Sequence, residues 1–331
     1  MTPKIETVTI LMKKHGKKGI MGKILITLAC FAKTDKAPLI LLKEKGFECI
    51  QNHDEQPYTK SKMIELVKDI DGIILGTDPC DRDVIAAGPK LKVISRFGVG
   101  YDNVDTEYCA GKGIAFYRTV GVNADAVADS AFAMILAVSK RVVPVNNMMK
   151  SGKWFEAESF EINHKTLGLI GFGNVGAKVA KRAVGFDMKI IAYDPFRNQE
   201  LAKSVNTTYV DTIEQVLRES DVVSLHLPRS AETYHIIGAE QIAMMKSGAI
   251  LINTARGGIV DENALADALE QNKILGAGLD VFENEPLPED SRLFKLDNTV
   301  LSPHGAGDTV ETLSKVSLAA AQNLLKGFGI N

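Results

Sequence analysis

Midway along a chain of 331 residues, the run Gly171-Phe172-Gly173-Asn174-Val175-Gly176 joins an apolar, β-branched segment, 166–170, to a helix-like one, 174–183. Three glycines at this spacing between a strand and a helix restrict the chain to one kind of turn. Gly171 permits the tight bend, and Gly173 lets the backbone come close to a phosphate. Gly176 lets helix and strand pack together. The amides at the helix N-terminus then face whatever anion sits in front of them.

The next apolar segment ends on Asp194, 18 residues beyond Gly176, where a dinucleotide-binding turn requires an acid about 20 residues on. A carboxylate there accepts the adenosine ribose hydroxyls and repels a 2′-phosphate. The pattern therefore favours NAD over NADP, with Arg197 the one nearby cation that argues the other way.

Around this turn the chain alternates short apolar segments with amphipathic ones, which predicts parallel sheets built from βαβ units. Before it, strands are expected at 23–28, 47–50, 72–75, 92–95 and 114–117, with helices at 37–45, 60–69 and 81–87. From 123 to 141 one long helix is expected, apolar nearly all round, with Asn123 as its N-cap. Such a helix suits a position between domains or subunits. A second series follows, with strands at 166–170, 188–193, 208–210, 221–225, 249–253, 276–279 and 299–302. Its helices are expected at 174–183, 212–219, 239–245 and 262–270, and a last amphipathic helix at about 309–325.

The chain is long enough for two domains. It is 45% apolar and 24% charged with a net charge of −2, a balance that gives no reason to expect nucleic acid or an anionic membrane as a partner. No apolar run approaches the ~20 residues of a membrane span. The four cysteines, Cys30, Cys49, Cys80 and Cys109, form no C-x-x-C pair and no metal-ligand spacing. They read as free thiols, with no metal site, in the reducing cytoplasm. The lysine-rich residues 1–21 read as a leader before the first strand, and Met21 as an alternative start.

Three polar residues stand just past the carboxyl ends of expected strands: Arg256, Glu285 and His304. Ligands of open α/β sheets bind outside those ends, so the three can converge on one site. Singly, each has a plainer reading. Arg256 reads as a surface turn, Glu285 as a solvated loop and His304 as a structural hydrogen bonder. Behind a dinucleotide turn, the shared functional reading wins. The Val99–Gly100 turn reads either as a simple connection or as an anion cradle, since successive glycine-turn amides can aim at one anion. Arg96 beside it reads either as a solvated arginine or as the holder of a second anionic group.

The blocks 96–105, 168–176, 253–258, 278–286 and 302–305 together resemble the signature segments of the D-isomer-specific 2-hydroxyacid dehydrogenases. They are most similar to short phosphoglycerate-dehydrogenase-like and glycerate or glyoxylate (hydroxypyruvate) reductase-like members. The resemblance spans about residues 22 to 325. It implies that Arg256 grips a substrate carboxylate with two parallel hydrogen bonds. It also implies that His304 is the general acid and base, and that Glu285, rather than Glu283, pairs with it.

For the cofactor, the resemblance implies contacts from Gly171–Gly176, Asp194, His226, Leu227, Pro228, Thr233, Thr254, Ala255, Asp280 and His304. For a small anionic 2-oxo or 2-hydroxy acid it implies Arg96, Val99, Gly100, Arg256 and His304. Three positions depart from the family pattern: Asp129 replaces the usual Glu, Arg229-Ser230 the usual Leu-Thr, and Gly305-Ala306 the usual bulky apolar residue after the His.

The expected architecture is two doubly wound domains. A flavodoxin-like substrate domain takes 22–121 plus 307–331, and a Rossmann NAD domain, 122–306, is inserted in it. The resemblance implies a cleft that closes on substrate, and a homodimer. The expected activity is hydride transfer between NAD(H) and a small D-2-hydroxy acid, with 3-phosphoglycerate and glycerate among the candidates. The alternative is a non-catalytic NAD-sensing protein similar to corepressors. Formate-oxidising relatives carry Gln where this chain has Glu285, which favours the hydroxy acid.

Overall fold

A computed structural model describes residues 20–54, 56–154 and 157–330. The expected leader therefore lies almost wholly outside the described residues. Contacts between residues divide the chain into two compact units. One comprises 1–97, 103–117 and 317–331, and the other 98–102 and 118–316.

The first unit holds a five-stranded sheet of β1 (Gly22–Ile26), β2 (Phe47–Gln51), β3 (Gly72–Leu75), β4 (Val93–Arg96) and β5 (Ala115–Arg118). Their order is β2-β1-β3-β4-β5, which is the flavodoxin-like order. The registers of β1 with β2 and β3, and of β3 with β4, are parallel. Alternate residues feed opposite faces, as the two-residue period of a strand requires. Leu25, Ile73, Leu75 and Ile94 enter one core. Ile24, Ile26, Ile74 and Val93 enter the other, with Ala320, Ala321, Leu324 and Leu325 from the last helix, Val310–Gly327. The Ser95 hydroxyl donates to Ala320 O at 2.9 Å.

The second unit holds seven strands: β6 (Thr166–Ile170), β7 (Lys189–Tyr193), β8 (Thr207–Tyr209), β9 (Val222–Leu225), β10 (Ile250–Asn253), β11 (Gly276–Leu279) and β12 (Thr299–Leu301). The order β12-β11-β10-β9-β6-β7-β8 is the Rossmann order with one strand added. Every adjacent pair in it is parallel. The chain reverses direction of growth at β6, which pairs with β7 on one side and β9 on the other. The carboxyl ends of those strands open the crevice where such sheets bind ligands.

The expected helix 123–141 ends early. It runs Ala124–Ser139, and Arg141 turns left-handed (φ 51°) before a further helix, Val142–Lys150. Asn123 occupies the N-cap position but makes no side-chain cap bond. The helix lies inside the second unit, over β10, β11 and β12 and beside the helix Asn174–Ala183. Glycines in β11 allow this approach: a Cβ on Gly278 would fall 2.7 Å from Met134 Cβ, and one on Gly276 2.7 Å from Val138 Cγ1.

The unit boundaries differ from the expected ones for a local reason. Gly98 N–H donates to Thr119 Oγ1 at 2.8 Å, Thr119 N–H to Gly98 O at 3.1 Å, and Arg256 Nε to Asp102 Oδ2 at 3.2 Å. These bonds tie the 98–102 loop to the second unit, and the division at the C-terminal side falls inside the last helix. None of the four cysteines is in a disulfide among the described residues, and burial pushes Cys80 up to about 12. Among the described residues no helix is long and apolar enough to cross a membrane.

Leu324 is fully buried and meets the space over Gly72. Leu324→Ala should cost about 2–5 kcal/mol and lower the first unfolding midpoint in a urea titration followed by circular dichroism, without altering the native spectrum.

Candidate active site

The glycine turn folds as its spacing requires. Gly171 adopts φ +94°, and a Cβ there would fall 2.5 Å from His226 O, so the β6 and β9 ends meet only because this residue has no side chain. A Cβ on Gly176 would fall 2.5 Å from Gly171 O, which is the close helix–strand packing expected. Gly173 has open space where its Cβ would stand. No side chain caps the helix Asn174–Ala183, whose first amides have no partner within the helix itself.

Asp194 accepts from Phe172 N–H at 2.7 Å and Phe196 N–H at 2.8 Å, so it is fixed beside the turn. The Thr254 hydroxyl is buried and has no hydrogen-bond partner among the described residues. A glycine turn open at its front, uncapped helix amides and an unmet buried hydroxyl at the end of β10 all suit a dinucleotide. His226 follows β9, with Nε2 3.0 Å from Ser224 Oγ. Desolvation lowers its pKa to about 3, leaving a neutral imidazole. Leu227 packs on the core beside β9. Thr233 Oγ1 donates to Pro228 O at 2.8 Å and accepts from Ser230 N–H, so it closes its own loop.

Arg256 ends a turn shaped by the buried Asn253, whose side chain accepts from Ala255 N–H at 3.1 Å and donates to Arg256 O at 2.9 Å. The guanidinium is held on two sides. Nε donates to Asp102 and Nη1 to Ala255 O at 2.6 Å. A Cβ on Gly100 would fall 1.7 Å from Arg256 Nη2, so the arginine fills the space that glycine leaves. Neither the Val99 nor the Gly100 amide donates to another described residue. Arginine and open amides therefore share one corner of the second unit. Asp102 was not legible as part of it, being 154 residues away in sequence.

Arg96 lies in the first unit, where Nη1 donates to the carbonyls of Leu75 (3.3 Å) and Phe97.

His304 follows β12 and adopts φ +51°. Its N–H donates to Asp280 O at 2.8 Å. The Asp280 carboxylate accepts from Ser302 Oγ, Gly305 N–H (2.9 Å) and Ala306 N–H (3.0 Å). It thereby folds the turn that presents the imidazole. His304 Nδ1 lies 2.7 Å from Glu285 Oε2, while Phe282 N–H donates to Glu285 Oε1 at 3.0 Å. Glu283 instead pairs with His235 Nε2 at 2.8 Å.

The electrostatics match this pairing. The Glu285 hydrogen bond and charge hold His304 above the usual histidine range, against the pull of burial and of Arg256. Burial alone would raise Glu285, but the bonds from His304 and Phe282 and the charge of Arg256 hold it below the usual carboxylate range. The two loops that carry Arg256 and Glu285 touch: a Cβ on Gly257 would fall 1.6 Å from Phe282 O.

Comparison with known proteins identifies the family. Residues 132–306 match the model of the D-isomer specific 2-hydroxyacid dehydrogenase, NAD binding domain. A glyoxylate reductase of Korarchaeum cryptofilum is 44% identical over 86% of this chain and 90% of its own. A hydroxypyruvate reductase of Thermotoga maritima is 39% identical over 89% and 95%. The crystal structure of a D-lactate dehydrogenase from Aquifex aeolicus, complexed with NAD and lactic acid, superposes with a TM-score of 0.81 and 30% identity over 93% of this chain and 95% of that one.

Gly257→Ala forces the Phe282 carbonyl away and loosens Glu285. The His304 titration followed by its imidazole proton resonances should then fall back toward the ordinary value of about 6.5. An unmoved titration would show that the two loops are not coupled.

Proposed function

Because this chain belongs to the D-isomer specific 2-hydroxyacid dehydrogenase family, we propose that it reduces a short, unphosphorylated 2-oxo acid of the glyoxylate or hydroxypyruvate kind to the corresponding 2-hydroxy acid. It is an NAD-linked oxidoreductase of 2-hydroxy acids. The observation that carries the finer reading is the His304–Glu285 contact, with Arg256 and the open Val99 and Gly100 amides in the same unit. The names of the two relatives support the substrate class.

Gly171–Gly176, Asp194, Thr254 and the loop at His226 would hold the dinucleotide, and the Asp194 carboxylate disfavours a 2′-phosphate. When bound, NADH supplies the hydride to the substrate C2. Arg256 Nη2 and the Val99 and Gly100 amides hold the substrate carboxylate, a planar anion that suits a guanidinium. Glu285 takes His304 Nδ1, so Nε2 is the nitrogen left to protonate the C2 oxygen. Glu285 stabilises the imidazolium until that transfer, and in the oxidation direction the neutral imidazole takes the proton back. The relatives named as glyoxylate and hydroxypyruvate reductases favour catalysis over the NAD-sensing alternative.

The expected homodimer forms part of this reading. The helix Val142–Lys150 buries no residue, and Val142, Val143, Met149 and the nearby Trp154 are exposed, the last by 88%. Light scattering should give twice the mass of the 331-residue chain, reduced toward one chain by Met149→Lys; a monomeric wild-type protein would remove this part.

Loss of NADH absorbance against a panel of 2-oxo acids tests the activity. Glyoxylate or hydroxypyruvate should be turned over, and Arg256→Ala should lower kcat/KM by about 10²–10³-fold. Reduction needs protonated His304, so kcat/KM is level at low pH and falls as pH rises through the raised His304 pKa. Glu285→Gln lowers that pKa and should move the alkaline fall to lower pH. Turnover of none of the panel, or an unmoved profile, would overturn the assignment.

A further inference from the structure

Behind the loop that carries Glu285 stands a second set of ionisable groups. Glu262 and Glu283 exchange hydrogen bonds: Glu283 N–H donates to Glu262 Oε1 at 2.5 Å, and Glu262 N–H to Glu283 Oε1 at 3.2 Å. His235 Nε2 lies 2.8 Å from the same Glu283 oxygen. His235 is itself anchored, with its N–H on Gly258 O at 2.7 Å and its ring stacked on Tyr234 with centroids 4.0 Å apart. Asp261 caps the helix Glu262–Glu270 through Asn263 and Ala264 N–H, which fixes Glu262 as its first residue. The other ring nitrogen of His235, Nδ1, lies 4.0 Å from Asp261 Oδ2, so both carboxylates face the imidazole.

The two amides flanking the Phe282–Glu283 junction are therefore held by two carboxylates. Phe282 N–H is bound by Glu285, and Glu283 N–H by Glu262. We propose that Glu262, backed by Glu283 and His235, is a positioning residue that holds this stretch of chain, and through it Glu285, against His304, and so sets the upper pH limit of reduction. The inference rests on the reading of His304 as proton donor and Glu285 as its partner.

Glu262 faces Glu283, Glu285 and His235. Burial, with the two neighbouring carboxylates, raises it above the usual carboxylate range, which marks it as enclosed by the loop. His304 faces Glu285, Arg256, Asp280 and Asp308. The hydrogen bonds of Glu262 go to Glu283, so its influence on His304 passes through the position of the loop.

The test is kcat/KM against pH for NADH-dependent reduction of glyoxylate or hydroxypyruvate by the wild type, E262A, E262Q, H235A and E285Q. E262A removes the acceptor for Glu283 N–H and should move the alkaline fall down by roughly 0.5–1 pH unit. H235A should move it the same way by less, and it decides the matter if E262A does not fold. E262Q keeps an acceptor oxygen and should retain the wild-type fall. If E285Q moves the fall while E262A and H235A leave it in place, Glu262 has only a structural role and the inference is overturned, whatever activity is lost. If E285Q also leaves it in place, the reading of the dyad fails and this inference fails with it.

Discussion

The site depends on the main chain of one residue, Phe282. The Phe282 carbonyl lies where Gly257 leaves no room for a methyl group, and the Phe282 N–H is bound by Glu285. Backbone sits directly on backbone there, between the turn that ends in Arg256 and the loop that leads to Glu285. A contact of this kind has no soft side chain to absorb a shift, so the spacing of guanidinium and carboxylate is set by main-chain packing rather than by rotamers. The parallel sheet supplies the rest of the geometry. It brings the carboxyl ends of β10, β11 and β12 side by side, and each of the three polar residues follows one of them.

Charge is distributed so that no group stands unopposed. Arg256 has Asp102 on Nε, His304 has Glu285 on Nδ1, and Asp280 is occupied by the turn that carries His304. Arg256 lowers both members of the His304–Glu285 pair, while the pair's own hydrogen bond raises the histidine and lowers the acid. The net effect keeps an imidazolium and a carboxylate in contact, in the same unit as the corner that Arg256 shares with the Val99 and Gly100 amides.

Much of this was legible in the sequence, because strand periodicity and strand-end chemistry are local. The β3, β6 and β11 segments fall where their apolar runs end at glycine, aspartate or a turn, and Glu285 could be chosen over Glu283 by the resemblance. The short helix Thr106–Gly111 was missed; its signal is Asp105, which accepts from Tyr108 N–H. The long apolar helix was overextended to Arg141, because apolar periodicity does not register a single left-handed residue. Two further features were beyond reach, since they join residues far apart in sequence. Asp102 meets Arg256 across 154 positions, and Glu283 meets His235 across 48 and Glu262 across 21. Arg96 was ambiguous for a different reason: whether an arginine is free to bind a ligand depends on which carbonyls lie within its reach, and sequence does not say.

His304 has a left-handed backbone as well as an imidazole. Most residues with a Cβ avoid that region, while Asn, Asp and His enter it more readily. The position therefore imposes two separate demands, one on conformation and one on proton chemistry, and they overlap in histidine. Asparagine satisfies the first and fails the second. A drifted descendant in which asparagine had replaced His304 would keep its turn, its loops and its nucleotide crevice while losing the proton. With His304 as the proposed proton donor, the route from enzyme to silent dinucleotide binder is one substitution long.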